Sequence, residues 1–235
     1  MRIDLLGRFA VLVDGREQPL SAFGGRKTRL LLRVLATRRG SPVDHDTLSS
    51  ALWGDDPPRD PSGNLGVLVN RARSALTDGG LIRTVPGGYL LDQRCAVDAA
   101  EFESGVRRAR HEQARGELAA ALADYLDALA LWGSPLPEDA DAPWADGVRQ
   151  HWSTLHRAAR LEGSTLALDL GQPTLAVEIA APAVREDPLD EAACIALMTA
   201  QAAAGQNAAA LASYDRLRHA LAEELGVDPS PPVRA

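Results

Sequence analysis

The most restrictive feature of this sequence is a recurrence in its second half. The tripeptide GQP at 171–173 returns as GQN at 205–207, 34 residues later, and 34 residues is the period of the tetratricopeptide repeat. The segment that starts at Gly116 also matches the segment that starts at Gly205. Because a single pair of helices cannot bury its apolar side alone, such repeats stack on one another. The recurrence therefore predicts stacked helical repeats, with a generic helical bundle as the alternative.

A different pattern precedes these repeats. Short β-prone runs come first, three helical stretches follow, and two β runs around a Pro-Gly-Gly turn come last. The expected elements are strands in 2–13 and at 18–20, helices near 25–39, 46–53 and 62–76, and hairpin strands at 81–85 and 89–91. A charged helix followed by a hairpin is typical of a winged helix-turn-helix. The sequence thus predicts such a domain at 1–94 and an all-helical domain at 95–235.

The third helix, expected over 62–76, has an apolar side and a polar side. The apolar residues at helical spacing are Leu65, Val69, Ala72 and Leu76. The residues on or beside the polar side are Val67, Asn70, Arg71, Arg73 and Ser74. Arginine can pair with guanine at two points, and asparagine can do the same with adenine. This helix is therefore a candidate for insertion into the DNA major groove, and an ordinary amphipathic helix with solvated charges is the alternative.

Basic residues crowd the first turn of the helix expected over 25–39, namely Arg26, Lys27 and Arg29. Positive charge is unfavourable there because the N-terminal end of the helix dipole is itself positive. Two interpretations remain open at this point. Lys27 and its neighbours hold a DNA phosphate, or they form a charged face that stays in water.

The charge of the chain is unevenly distributed. The net charge is −7, yet residues 1–94 hold 14 Lys and Arg against 10 Asp and Glu, whereas residues 95–235 hold 11 against 22. The first segment thus carries +4 and the second −11. A basic N-terminal segment can approach phosphates while an acidic remainder contacts another protein.

Motifs for catalysis or metal binding are absent from the sequence. Cys95 and Cys194 are too far apart for ligand spacing, the five histidines form no HExxH, and no P-loop, GxSxG or dinucleotide fingerprint occurs. The sequence therefore predicts no enzyme, no catalytic residue, no metal and no cofactor. No apolar run approaches the ~20 residues that span a bilayer, and the first residues lack a signal-peptide pattern. These features favour a cytoplasmic, nucleoid-associated protein without a membrane partner.

Six segments, taken in order, resemble the Streptomyces antibiotic regulatory protein family of transcriptional activators. They are GRKTRLLLRVLA, ALWGDDPP, LVNRARSAL, PGGYLL, AVDAAEFE and LAEELGVDPSP. The resemblance spans nearly the whole chain. It implies a mainly α fold, with an OmpR-type winged helix-turn-helix followed by a tetratricopeptide-like bacterial transcriptional activation domain. The same segments would fit the N-terminal part of a larger regulator that has an ATPase module downstream.

The resemblance also implies roles for individual residues. Arg71 would read bases, Arg73 would hold a phosphate and Val67 could contact a thymine methyl group. Together with the residue patterns, it gives a DNA-binding set of Lys27, Asn64, Val67, Asn70, Arg71, Arg73, Ser74, and, in the wing, Arg83 and Thr84. The loop at 53–61, with Asp55, Asp56 and Arg59, corresponds to the segment that contacts RNA polymerase in related winged helices.

The implied partners follow from the same family. They are double-stranded promoter DNA, bound at direct repeats by a head-to-tail dimer, and RNA polymerase holoenzyme, through its sigma factor and its alpha or beta subunit. The implied targets are genes for antibiotics and other secondary metabolites. A DNA-binding repressor, or an effector-responsive regulator of the same architecture, is the alternative, because residues alone do not distinguish activation from repression.

Overall fold

The computed structural model of the chain describes residues 1–76 and 78–234. Within them the strands are β1 (Arg2–Asp4), β2 (Ala10–Val13), β3 (Arg16–Glu17), β4 (Val43–Asp44), β5 (Ile82–Val85), β6 (Gly88–Leu91) and β7 (Ala96–Val97). The α-helices are α1 (Arg26–Thr37), α2 (His45–Trp53), α3 (Pro61–Ala75), α4 (Asp98–Ala114), α5 (Leu118–Ala130), α6 (Pro143–Asp169), α7 (Pro173–Glu186), α8 (Glu191–Ala203), α9 (Asn207–Glu224) and α10 (Pro231–Arg234). This mainly helical order, with small sheets at the N-terminal end, confirms the predicted fold class.

Backbone contacts divide the chain into two compact units. The first unit comprises Met1–Ser104 and Leu131–Ser153, and the second comprises Gly105–Ala130 and the residues from Thr154 onward. The first unit therefore contains the whole of segment 1–94 together with a stretch from the middle of the chain.

Two small sheets belong to the first unit. The four-stranded sheet has the order β3-β2-β1-β7, in which β1 pairs antiparallel with β2 and parallel with β7. The three-stranded sheet has the order β4-β6-β5 and is antiparallel throughout. Its strands β5 and β6 form the predicted hairpin, with Thr84 opposite Tyr89. This hairpin is the wing that the sequence pattern indicated.

The third strand occurs earlier in the sequence than predicted. Asp14 and Gly15 adopt positive φ values of 50° and 74°, so the chain reverses within two residues and Val13 pairs directly with Arg16. Two-residue turns of this kind are the common connection between hairpin strands. The strand predicted at 18–20 was therefore wrong, and Leu20–Phe23 forms a 3-10 helix instead.

Helix α2 of the winged-helix portion begins at a capping residue that the sequence indicates. Asp44 caps α2, because its carboxylate accepts a hydrogen bond from the backbone nitrogen of Thr47 at 2.7 Å. The N-cap of α1 is Gly25, which provides no side-chain hydrogen bond. Leu35 of α1 and Leu48 of α2 are completely buried, and they belong to the apolar core of the first unit.

A segment from the middle of the chain packs on the N-terminal strands. The backbone nitrogen of Leu136 donates to the carbonyl oxygen of Leu5 at 2.9 Å, and Leu6 forms an isolated β-bridge with Pro135. Farther along, Glu138 accepts a hydrogen bond from the backbone nitrogen of Phe9 at 2.8 Å. Through these contacts residues 131–139 pack within the first unit, although their composition is that of a polar loop.

The second unit contains the recurrent sequence. Gly171 and Gly205 adopt the same left-handed conformation, with φ values of 70° and 74°, at the ends of α6 and α8. The hydroxyl of Tyr125 donates to Glu162 at 2.6 Å, and the guanidinium of Arg110 donates to both oxygens of this carboxylate at 2.8 Å. The repeated turns and the helices between them support the tetratricopeptide-like arrangement that the recurrence predicted.

Candidate nucleic-acid interface

Helix α3 begins at a well-formed N-terminal cap. Asp60 is its N-cap, and its carboxylate accepts from the backbone nitrogen of Gly63 at 2.9 Å. Pro61 occupies the first turn, where the missing N–H has no cost. A Cβ atom at position 63 would lie 2.2 Å from Oδ2 of Asp60, so this cap favours glycine there. The side-chain nitrogen of Asn64 donates to the carbonyl oxygen of Asp60 at 2.8 Å.

One side of α3 is buried in the core of the first unit. The buried residues on this side are Leu65, Leu68, Val69 and Ala72. The opposite side is exposed and carries Val67, Asn70, Arg71 and Ser74. Val67 keeps 50% of its surface exposed. The division between the two sides agrees with the pattern expected from the sequence.

The polar side chains of this surface differ in what they bond to. The hydroxyl of Ser74 donates to the carbonyl oxygen of Asn70 at 2.9 Å. Within the described residues, the side chains of Asn70 and Arg71 form no hydrogen bond or ion pair. An open groove of about 490 Å³ runs beside them, with Phe23 on its other side. Asn70 and Arg71 are therefore exposed side chains with uncommitted polar groups.

Arg73 links α3 to the wing. Its Nε donates to the carbonyl oxygen of Ile82 at 2.9 Å, and its Nη2 donates to Oγ1 of Thr84 at the same distance. The sequence placed Arg73 and Thr84 in the same DNA-binding set but did not anticipate that they bond to each other. The fork of one guanidinium thus holds the first strand of the hairpin against the end of α3.

The remaining wing residue of the predicted set, Arg83, is exposed and faces an acidic neighbour. Its Nη1 lies 3.9 Å from Oδ2 of Asp92. The backbone nitrogen of Arg94 donates to Asp92 and is the main cause that lowers the pKa of this carboxyl group. Asp92 therefore stays ionised and partly neutralises Arg83, so that the wing has less free positive charge than its sequence suggests.

Lys27 and the loop before α3 complete the predicted set. The Nζ of Lys27 lies 5.2 Å from the ring centroid of Trp53, within the range of a cation–π interaction. Asp55, Asp56 and Arg59 are all exposed in the loop that joins α2 to α3. These positions leave the predicted roles open, and the contact between Lys27 and Trp53 was not evident from the sequence.

Among the residues that the structure describes, no three His, Cys, Asp or Glu side chains come together as metal ligands would. No helix in the described ranges combines the length and apolarity needed to cross a bilayer.

Two family models match this chain in succession. The model described as "Transcriptional regulatory protein, C terminal" matches residues 23–91, and the model described as "Bacterial transcriptional activator domain" matches residues 97–235. The first match includes α1 to β6, and the second extends over the helices that follow. The fold and these matches define a two-part transcriptional regulator.

Individual relatives match nearly the whole length of this chain. Regulatory protein DnrI of Streptomyces peucetius is 30% identical over 251 residues, which cover 98% of this chain and 88% of DnrI. Regulatory protein AfsR of Streptomyces griseus is 30% identical over 95% of this chain but only 23% of AfsR. The chain belongs to the Streptomyces antibiotic regulatory protein family of transcriptional regulators.

Other relatives are also longer than this chain. Transcriptional regulatory protein EmbR of Mycobacterium tuberculosis is 29% identical over 98% of this chain and 61% of EmbR. A solved structure of this EmbR in complex with a low affinity phosphopeptide has a TM-score of 0.85 at 24% identity, and covers 99% of this chain and 62% of that one. The structural likeness supports the fold alone. The chain thus spans about a quarter of AfsR and under two thirds of EmbR.

Proposed function

We propose that this chain is a sequence-specific DNA-binding activator that inserts α3 into the major groove. The observation that carries this proposal is the exposed surface of Val67, Asn70 and Arg71, whose polar groups have no bond within the described residues. A helix whose opposite side is buried can enter a groove without unfolding anything. Arg71 would pair with guanine, Asn70 with adenine, and Val67 would contact a thymine methyl group.

The wing has a supporting role in this proposal. Arg83 is exposed and would approach the adjacent backbone, while the pair formed by Arg73 and Thr84 fixes the angle of the hairpin relative to α3. Arg73 would then act partly by positioning the wing, in addition to the phosphate contact expected from the sequence. Ser74 and Asn64 use their side chains within the helix, and their expected DNA contacts would require these bonds to change or be shared.

Membership of the family supports the wider role. We infer that the chain binds direct repeats in promoters as a head-to-tail dimer and recruits RNA polymerase holoenzyme to genes of secondary metabolism. The exposed loop with Asp55, Asp56 and Arg59 would contact polymerase through its sigma factor and alpha or beta subunit. Repression through the same DNA contact is the second candidate function. It would apply at promoters where the DNA site bound by α3 overlaps the site bound by RNA polymerase.

The base-reading role of Arg71 is tested with Arg71→Ala. A binding site is first selected from random DNA duplexes with the wild-type chain, and affinities are then measured by fluorescence anisotropy on this site and on a scrambled duplex. We expect the variant to lose about 1–3 kcal/mol on the selected site and to relax one base position. Affinity for the scrambled duplex should change little, because the lost contact reads a base. Equal affinity of variant and wild type for the selected site would contradict the groove assignment.

Arg73 and Arg38 provide the comparisons. Arg73→Lys keeps a positive charge but loses the two-point contact with Ile82 and Thr84. If Arg73 only contacts a phosphate, this variant should keep its DNA affinity and the same dependence of affinity on salt concentration. If Arg73 positions the wing, the variant should bind DNA more weakly. Arg38→Ala removes another exposed arginine of the same unit and should leave the selected base sequence unchanged.

Activation is tested separately from DNA binding. The double variant Asp55→Asn and Asp56→Asn removes two exposed charges from the loop and keeps the side-chain shapes. In a purified transcription reaction with polymerase holoenzyme and a promoter that carries the selected site, we expect normal promoter occupancy and a lower transcript yield. A transcript yield equal to that of wild type would mean that this loop does not contact polymerase. Wild-type protein that lowers transcription from the same promoter would favour the repressor.

A further inference from the structure

A cavity of about 430 Å³ lies inside the first unit. It is bounded by the start of α1, the end of α2 and the segment 137–144. The volume falls within the usual range for small-molecule sites. The cavity is separate from the exposed side of α3, since none of the residues around the cavity belongs to that helix.

Two indole rings contribute to the wall of this cavity. Trp53 closes the end of α2, and Trp144 belongs to the first turn of α6. Two indole rings on the wall of one cavity are suited to pack against a flat aromatic molecule.

Positive charge gathers at one end of the cavity. Arg26 and Lys27 both border it, and neither has an ion-pair partner among the residues that the structure describes. They lie in the first turn of α1, whose N-cap Gly25 gives the backbone N–H groups no side-chain acceptor. An anion bound there would meet two cations and the positive end of a helix dipole. Lys27 is also the only lysine in the sequence, among 25 basic residues.

Three acidic residues lie in the segment 137–144 that bounds the cavity. Asp139 is neutralised, because it binds Arg33 through both carboxylate oxygens. Glu138 accepts a hydrogen bond from the backbone nitrogen of Phe9, and Glu138 and Asp141 both keep their negative charge. The positive charge is therefore confined to the part of the cavity that Arg26 and Lys27 border.

We propose that this cavity binds a small planar aromatic anion, of the class of aromatic carboxylates. The ring packs against Trp53 and Trp144, and the carboxylate interacts with Lys27, Arg26 and the first turn of α1. A regulator with such a site responds to an effector, which goes beyond the DNA-binding function proposed above. It also gives Lys27 a role that competes with its predicted phosphate contact.

The single lysine allows a direct test. Reductive methylation with formaldehyde and borane modifies only Lys27 and the N-terminal amine of this sequence, and mass spectrometry can follow both. The ligand used is 1-naphthoate, and 1-naphthalenemethanol is its uncharged counterpart. We expect 1-naphthoate to slow methylation of Lys27 relative to the N-terminal amine, and 1-naphthalenemethanol to have a much smaller effect at the same concentration.

Variants separate this site from the DNA-binding surface. By calorimetry, Lys27→Met and Trp144→Leu should each weaken 1-naphthoate binding by about tenfold, the equivalent of ~1.4 kcal/mol. Arg71→Ala should leave this binding unchanged while it impairs DNA binding. The circular dichroism of each variant before titration reports whether the chain is folded.

Several outcomes would overturn the proposal. They are equal protection of Lys27 by the charged and uncharged compounds, no protection by either, and wild-type affinity of folded Lys27→Met for 1-naphthoate. The proposal is also contradicted if Lys27→Met binds 1-naphthoate like wild type and differs only in a salt dependence of DNA binding that is weaker by about one charge. Lys27 would then contact a DNA phosphate. None of these results depends on whether α3 reads bases.

Discussion

Asp139→Ala is expected to lower the free energy of unfolding of the first unit by about 3–5 kcal/mol. This residue forms a buried ion pair with Arg33, in which Nε lies 2.5 Å from Oδ2 and Nη2 lies 2.9 Å from Oδ1. The two side chains are each only 5% exposed. Removal of the carboxylate leaves a guanidinium that cannot reach water, and the loss is large because native domains are stable by only ~5–15 kcal/mol.

The effect should be concentrated around α1. Arg33 lies in the middle of this helix, and its guanidinium carbon is 5.2 Å from the ring centroid of Phe9. A free charge at this place would disturb both the helix and the strand sheet beside it. Hydrogen exchange followed by mass spectrometry resolves these segments, and does not require the two units to unfold together. We expect amide protection in α1 to fall most, and protection in α8 to remain as in wild type.

Two further variants define the cause. Glu17→Ala breaks the exposed pair with Arg8 and should change protection little, because solvent screens such pairs. The double variant Arg33→Met and Asp139→Leu removes both buried charges and should recover most of the lost stability. A single Asp139→Ala variant as well protected as wild type would mean that Arg33 finds another partner or reaches solvent.

The sequence predicted those parts of the fold that depend on local pattern. Helix α3 was expected over 62–76 because apolar residues recur at helical spacing, and the structure gives Pro61–Ala75. The hairpin was expected from its Pro-Gly-Gly turn and forms with Thr84 opposite Tyr89. Such signals lie within a few residues of the element they specify, which is why a single sequence reveals them.

Contacts between distant residues were not predictable in this way. The segment WGSPLPEDADAPW at 132–144 is too irregular in sequence to predict a helix, and its sequence does not indicate that Leu136 and Asp139 are buried in the first unit. Nothing near Asp139 in sequence indicates Arg33, which precedes it by 106 residues. Composition identifies the polar character of the segment, but the partner of a buried charge is a property of the tertiary fold.

The recurrence shows a second limit of sequence reasoning. The alignment of the segments at 116 and 205 equates Leu122 with Leu211. Leu122 is 4% exposed and Leu211 is 68% exposed. A repeated sequence predicts the same helix, but which face is covered depends on the neighbours of that helix.

The candidate site was predicted in part for the same reason. The pattern identified the exposed side of α3 with Asn70 and Arg71. It did not identify the bond from Arg73 to the wing, nor the contact of Lys27 with Trp53. Both depend on elements that meet only in the folded chain, so a charged residue with a structural partner looks in sequence like one that is free to bind DNA.

Asp98→Ala is the second substitution with a large expected effect. Asp98 is 3% exposed, and its carboxylate accepts hydrogen bonds from the backbone nitrogens of Leu5, Leu6 and Ala99 at 2.7, 2.8 and 2.7 Å. It thus joins the end of β1 to the start of α4. Because an unsatisfied buried donor costs ~1–3 kcal/mol, the loss of this acceptor for Leu5 and Leu6 should lower the free energy of unfolding by about 2–4 kcal/mol at pH 7.

The same carboxyl group should make stability depend on pH. Burial raises the pKa of Asp98 to about 6, against the lowering effect of its three N–H bonds. In the unfolded chain the pKa of an aspartate is ~3.9. Since the folded pKa is the higher of the two, the protonated group favours the folded state, and this contribution is complete below pH ~3.9 and is lost as the pH rises through about 6. The difference corresponds to about 3 kcal/mol at ~1.36 kcal/mol per pH unit.

Asp98→Asn separates the charge from the hydrogen bonds. The amide does not titrate and keeps one oxygen as an acceptor, so this variant should be destabilised less than Asp98→Ala at pH 7. The measurement is the free energy of unfolding of wild type minus that of Asp98→Asn between pH 4.5 and pH 7.5, a range of ~3 pH units around the expected pKa. We expect this difference to decrease as the pH rises, because only wild type must bury a charge. A difference that instead grows with pH would mean that the N–H groups outweigh burial and that the ionised carboxylate is the form that stabilises the junction of β1 and α4.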